Sequence, residues 1–111
     1  MTIYDAMLNG VSKLVSGESN VTVSAMLISS VSSDIVGSEF DRITTSNSSS
    51  GVNSLFEMTR SSVSANNEVL AGVGLMTSIS GGELWADTVM SSLVHTTDFD
   101  FEVVYQIKFS K

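Results

Sequence analysis

Residues 98–109, DFDFEVVYQIKF, place a large apolar side chain at every second position. A period of two is the spacing of a β-strand that buries one face and exposes the other. A strand cannot bury so many large side chains alone, so this segment predicts a sheet-built core beneath it. The apolar set is Phe99, Phe101, Val103, Tyr105, Ile107 and Phe109.

Two more apolar stretches precede this strand. Residues 69–79 and residues 83–91 are separated by Gly81-Gly82, a dipeptide suited to a hairpin turn. The chain contains no proline, so no strand is excluded on backbone grounds. We therefore expect three consecutive strands in the C-terminal part of the chain, with a hairpin turn between the first two and a loop around His95 between the last two.

The N-terminal part begins with a helical pattern. Apolar residues recur at spacings of three and four over residues 3–16, and Gly17 is placed to end the helix, although Gly10 weakens it. Further strands are expected at 21–29, 40–45 and 52–60. Residues 29–38 fit either a loop or a short structured turn. Residues 46–51, SNSSSG, are expected to form a flexible loop, and 61–67 a connector in which Asn66-Asn67 tolerates a positive φ.

These elements predict a mainly β protein, an antiparallel β-sandwich with a short N-terminal helix. The length of 111 residues fits a single domain over 1–111, with the helix in 1–17 and the strands in 21–111. We find no internal repeat and no change of composition that would mark a second domain.

The formal net charge of −7 argues against binding to nucleic acid or to an anionic membrane, because no basic cluster offsets it. The mean hydropathy of +0.27 is high for a small monomer and favours a homo-oligomer. Without cysteine there is no disulfide or thiolate metal site. Residues 1–7 do not resemble a signal peptide, and no stretch approaches the about 18 apolar residues that span a bilayer.

No sequence motif indicates a catalytic site. His95 is the single histidine, which excludes a multi-histidine metal site, and no serine lies in a G-x-S-x-G sequence. Gly72 and Gly74 lack the third glycine of a dinucleotide-binding loop. Three carboxylates at alternate positions, Asp98, Asp100 and Glu102, could bind Ca²⁺, but a flat strand spaces them ~6–7 Å apart, so we expect them to be solvated or to face a partner. The sequence thus predicts no enzyme activity, no cofactor and no metal.

Candidate interface residues are few. Trp85 follows the Gly-Gly turn and is expected either in the core or at a subunit contact, where tryptophan is favoured. Tyr4 and the acidic row Asp98, Asp100 and Glu102 complete the set. Tyr4, Trp85 and Tyr105 are also the aromatic residues that could serve a carbohydrate-binding site.

The C-terminal third resembles a group of small virion proteins of tailed phages and related archaeal viruses. The matching pieces are Gly74-Leu75-Met76, the Gly81-Gly82 turn, Leu84-Trp85-Ala86, the Thr96-Thr97 loop and the alternating strand from Val103 to Phe109. Met76 replaces the usual aromatic residue and His95 stands where a lysine is common. The group is not enzymatic, so the resemblance transfers no catalytic residue.

The resemblance implies a virion structural protein, most readily a capsid decoration or surface protein, assembled in the host cytoplasm. Its expected partners are the major capsid protein or tail proteins and further copies of itself, with a trimer as the expected oligomer. The alternatives are a tail component (fibre, collar or baseplate adaptor) and a virion module that binds host glycans. A small hydrolase around His95 is a third, enzymatic hypothesis.

Overall fold

The computed structural model describes residues 1–109, so the last two positions of the predicted domain lie outside the described residues. It contains one α-helix, eight β-strands and a single 3-10 turn at Ser62–Ser64. The elements, in chain order, are β1 Thr2–Ile3, α1 Asp5–Ser16, β2 Ala25–Ser29, β3 Glu39–Thr44, β4 Ser46–Ser50, β5 Asn53–Arg60, β6 Glu68–Met76, β7 Leu84–His95 and β8 Phe101–Lys108.

The strands form two antiparallel sheets. The larger sheet has the order β1-β7-β6-β2-β3, and the smaller sheet has the order β4-β5-β8. The predicted fold class is confirmed: the protein is mainly β, sandwich-like, with one short N-terminal helix. The number of strands exceeds the five or six expected, because the two-residue β1 and the serine-rich β4 carry no apolar alternation.

The larger sheet passes into the smaller one at Thr45. β3 ends at Thr44 and β4 begins at Ser46, while the Thr45 N–H donates to the Ser24 carbonyl over 3.1 Å. The prediction of a flexible loop over 46–51 is therefore wrong for 46–50, which pair with β5. All five residues of β4 are exposed, so the strand shows none of the burial that makes a strand visible in a sequence.

The inner faces of the two sheets form the main core. Phe101, Tyr105 and Ile107 of β8 are buried as their alternation predicts, whereas Phe109 is 45% exposed beyond the end of the strand. β2 is buried on both faces. The buried members of this core are Met7, Val23, Met26, Ile28, Phe56, Met58, Leu70, Val73, Leu75, Trp85, Ala86, Phe101, Tyr105 and Ile107.

A second, smaller apolar cluster lies on the outer face of the larger sheet. Ile35, from the segment between β2 and β3, packs there with Leu27 and Met76. A Cβ at Gly72 would overlap the Ile35 side chain, so glycine at this position lets the segment lie close against β6. Part of the ambiguous region 29–38 is thus a covering loop, held by one buried isoleucine.

Strand β7 is longer than its sequence suggested. It runs to His95 instead of ending near residue 91, and its pairing with β6 shifts register between Leu70 and Gly72. His95 therefore closes a strand and is 0% exposed, which corrects its expected place in a polar loop. The strand was expected over the apolar stretch 83–91, and Ser91 and Ser92 end that stretch in the sequence.

Turn residues behave as their chemistry predicts. Gly17 ends α1 with φ 78°, and Gly81 and Gly82 have φ 68° and 78° between β6 and β7. Asn67 adopts φ 59° just before β6. Arg42 holds the β6–β7 turn in place by donating to the Gly81 carbonyl over 2.6 Å.

Helix α1 packs against β7 through its glycine. A Cβ at Gly10 would overlap the Trp85 ring, so the residue that weakens the helix also lets it approach the sheet. Met7 is the buried side chain of the helix and belongs to the main core. Tyr4 begins the helix without a side-chain cap, but its N–H donates to the Trp85 carbonyl over 2.9 Å, which ties the start of the helix to β7.

We expect Gly10→Ala to lower the free energy of unfolding, although alanine is the better helix former. Overpacking against Trp85 costs about 1–3 kcal/mol, whereas the helix gains about 1 kcal/mol. Chemical denaturation measures the difference, with Ser12→Ala, at an exposed position of the same helix, as the control. A Gly10→Ala protein at least as stable as the control would contradict the close approach of helix and ring.

Candidate functional site

The predicted interface residues divide into exposed and buried ones. Tyr4, Asp98, Asp100 and Glu102 are exposed, and the acidic three lie at or before the start of β8. The Asp100 carboxylate accepts the Ser62 N–H over 2.8 Å, so it also fixes the 3-10 turn. Among residues 1–109, no three histidine or acidic side chains are grouped so that they could share a metal ion.

Trp85 lies in the core and not at the surface. It is 3% exposed and its ring packs against Gly10 of α1. Its Nε1 has no hydrogen-bond partner among the residues that the structure describes. The interpretation of Trp85 as a subunit contact or sugar platform is therefore corrected, because this chain itself covers the ring.

An ionic cluster, which we call the Arg60 cluster, comprises the buried Arg60 and His95 and the partly exposed Asp41 and Glu68. Arg60 Nε lies 2.7 Å from Asp41 Oδ2, and Arg60 Nη2 lies 3.0 Å from Glu68 Oε1. The Arg60 side chain is 5% exposed. Because Arg60 ends β5 while Asp41 and Glu68 belong to β3 and β6, the cluster ties the smaller sheet to the larger one.

His95 completes the cluster as a neutral ring. Its Nδ1 lies 2.7 Å from Arg60 Nη1, which can only donate, so Nδ1 accepts. The proton is then assigned to Nε2, which donates to the Phe99 carbonyl over 2.9 Å. Both ring nitrogens are engaged and the residue is 0% exposed, so this geometry holds the fold and presents no base to a dissolved substrate.

The ion pair with Arg60 strongly lowers the pKa of Glu68. The hydrogen bond from Arg60, with a further one from the Asn66 N–H, lowers the pKa of Glu68 from 4.5 to about 2. The carboxylate thus stays ionised at any moderately acidic pH. Its charge is what compensates the guanidinium that the fold buries.

A polar cavity of about 360 Å³ opens on the outer face of the larger sheet. The Tyr4 hydroxyl donates to Asp87 Oδ2 over 2.6 Å at this cavity, and that bond raises the pKa of Tyr4. Its lining combines an aromatic ring, hydroxyls and carboxylates, and contains no lysine or arginine. The lining residues are Thr2, Tyr4, Ser32, Ser33, Asp34, Ile35, Val36, Leu84, Asp87 and Val89.

Exposed valines mark the same outer face farther along β6 and β7. Val69 and Val94 lie directly opposite each other and are 42% and 46% exposed. Val89, opposite Gly72, is 62% exposed. We call Val69, Val89 and Val94 the valine patch. The sequence of β7 shows no apolar–polar alternation that would indicate the valine patch, because both faces of this strand carry aliphatic residues.

Sequence reasoning missed the Arg60 cluster although one signal was present. The alternation of β5 places Arg60 on the same side as the buried Phe56 and Met58. An arginine in a buried register requires acidic partners. Its partners Asp41 and Glu68 come from other strands, so only the folded chain reveals them.

Comparison with family models, with curated proteins and with solved structures finds no match for this chain. Within residues 1–109 no helix has the length and apolar character needed to cross a membrane.

The Glu68 carboxylate makes the free energy of unfolding depend on pH. Because its pKa is about 2 in the folded protein and 4.5 as a free side chain, its contribution is complete above about 4.5 and is lost as the pH falls towards 2. We expect Glu68→Gln to be clearly less stable than the wild type at pH 7, and this difference to shrink towards pH 2. Urea denaturation at several pH values measures it.

Glu57→Gln, at an exposed position of β5, is the matched control and should follow the wild-type profile. An equal loss for Glu68→Gln at neutral and acidic pH would show that the ion pair does not carry the stabilisation.

Proposed function

We propose that this chain is a virion structural protein of a tailed virus, a capsid decoration or surface protein that acts by packing against its neighbours. Its partners are the major capsid protein and further copies of itself, and it is assembled in the host cytoplasm. A tail component is the nearest alternative, because the same kind of domain serves either place in the particle.

The observation that carries this proposal is the valine patch. Three valines, Val69, Val89 and Val94, are between 42% and 62% exposed on one sheet face of a small protein. Apolar side chains grouped on a surface mark sites where another protein packs. The flanking cavity at Tyr4 and Asp87 gives the patch a polar border, as protein interfaces have.

Two further features support a place on the outside of a particle. The pieces that carry the resemblance to virion proteins lie in or beside β6, β7 and β8, and they include the core residues Leu75, Trp85 and Tyr105. The net charge of −7 suits a surface turned away from packaged DNA, which it would repel.

Particle composition tests the proposal directly. We expect peptide mass spectrometry to detect the chain in purified particles of the virus or provirus that encodes it, and immunogold labelling to place it on the head. Labelling of the tail alone would favour the tail alternative. Absence from purified, intact particles would contradict a structural role.

A matched pair of variants links this role to the patch. Val94→Asp should lower the amount of chain per particle, while its free energy of unfolding stays within about 0.5 kcal/mol of the wild type. Val15→Asp, at a helix position that is 84% exposed, should be incorporated normally. Equal incorporation of both variants would exclude the valine patch as the contact.

A second candidate function, glycan binding by a virion module, is favoured by the cavity beside Tyr4. An exposed aromatic ring next to carboxylates and hydroxyls can stack on a sugar and bond its hydroxyl groups. Tyr4 is 37% exposed there, with Asp87, Asp34 and two serines around it. Trp85, which the sequence offered for this role, is buried.

A glycan array tests this candidate. Binding should appear with the wild type and be lost with Tyr4→Ala, because the stacking surface is removed. Phe109→Ala, which removes another exposed aromatic ring away from the cavity, should bind as the wild type does. Silence of the wild type across the array, or binding that survives Tyr4→Ala, would reject glycan recognition at this cavity.

A further inference from the structure

The longest strand at a sheet edge is β8. The strands at the edges are β1, β3, β4 and β8, and β8 is eight residues long. Its pairing with β5 runs from Phe101 to Lys108 without a register shift, whereas β3 is interrupted by one. Regular, long edge strands present a row of backbone groups on which another strand can pair.

The register with β5 shows which groups face outwards. Phe109 N–H donates to the Val52 carbonyl over 2.8 Å, so the odd-numbered residues of β8 point their backbone groups at β5. The even-numbered residues Glu102, Val104 and Gln106 therefore direct theirs at the free edge. In the part of the chain that the structure describes, these groups have no hydrogen-bond partner.

We propose that this edge pairs with β8 of a second copy of the chain. The two strands run antiparallel about a two-fold axis at Val104, and the two smaller sheets join into one six-stranded sheet. Addition of a strand at an exposed edge is a common mode of recognition, in which backbone hydrogen bonds give affinity and side chains set the register.

Side-chain complementarity selects the copy as the partner and fixes the register. With the axis at Val104, each Val104 lies opposite its own equivalent, which covers an apolar side chain that is otherwise 62% exposed. Glu102 then lies opposite Gln106 of the second copy, within reach of a hydrogen bond. Asp100, which precedes the strand and accepts the Ser62 N–H, comes opposite Lys108 of the second copy, so opposite charges meet at the two strand ends.

The inner side of the strand fits the same register. Phe101 comes to lie opposite Ile107 of the second copy, and Val103 opposite Tyr105, so apolar residues meet apolar residues. A cavity of about 280 Å³ beside the edge is bordered by Val103 and Tyr105 on β8 and by Thr88 on β7. Met1, which is 67% exposed, also borders it, together with Val104 and Gln106.

The β4 edge is the other free edge of the smaller sheet, and it fits β8 less well. Its five residues, Ser46 to Ser50, are uncharged and exposed, so they offer no partner for Lys108 or for Val104. Pairing of β8 with β4 of another copy would also be head-to-tail and would produce rings or chains instead of a closed dimer. The expected trimer has no such support at this edge.

Sedimentation equilibrium of the purified full chain tests the pairing. The wild type should reach a mass of twice the 11.8 kDa chain in the micromolar to millimolar range. Val104→Asp places like charges opposite each other and should raise the dissociation constant at least about tenfold. Val63→Asp, at a position that is 90% exposed outside the strand, should leave the dissociation constant unchanged.

Variants with a single cysteine can test the register between the two β8 strands, because the chain has no native cysteine. Val104→Cys should form a disulfide-linked dimer on mild oxidation, since each copy faces its equivalent at the axis. Gln106→Cys should not, because the two equivalents lie four residues apart along the strands, or about 13 Å. Equal crosslinking of the two variants would overturn the register.

A wild-type chain that stays monomeric, or forms trimers or larger rings, would overturn the pairing. The inference goes beyond the proposed virion role and does not depend on it. A monomer in solution leaves the content of virus particles untouched, and a chain missing from particles leaves the dimer untouched, so the two failures are distinguishable.

Discussion

A buried arginine shared between the two sheets is the interaction on which the arrangement of the larger and smaller sheets depends. Arg60 ends β5 and reaches Asp41, Glu68 and His95 on three strands of the larger sheet. A charge this deeply buried is tolerated only while its partners hold it, because its desolvation penalty is several kcal/mol. The cluster therefore specifies one relative placement of the sheets, where apolar packing alone would tolerate several.

The two sheets differ in their number of strands, and the chain leaves some of their surfaces uncovered. Five strands lie in the larger sheet and three in the smaller one, and α1 packs against β7, with Met7 reaching the main core. The chain crosses between the sheets three times, at Thr45, between β5 and β6, and between β7 and β8, and β8 lies at an edge of the smaller sheet. The valine patch and the cavity at Tyr4 lie on the outer face of the larger sheet, so docking at that face and pairing along β8 use separate surfaces.

Much of the fold could be predicted because local chemistry and tertiary structure agree there. Phe101, Tyr105 and Ile107 alternate with polar residues and are buried, while Gly17, Asn67 and Gly81 adopt the positive φ that their residue types favour. The candidate sites were predicted less well. Trp85 was expected either in the core or at a subunit contact, and His95 in a loop, because neither residue type indicates whether its strand is covered on that side.

By itself, the sequence determined the class of fold, the helix and its end, the turn residues and the inner face of β8, since each follows from neighbours within a few positions. Only the tertiary structure decided that 46–50 pair as a strand, that Gly10 lets the helix approach Trp85, and that Arg60 meets Asp41, Glu68 and His95. The contacts of Gly10 and Arg60 join residues from 8 to 75 positions apart. Side chains so far apart in the chain are brought together only by the register and packing of whole strands, which no local pattern contains.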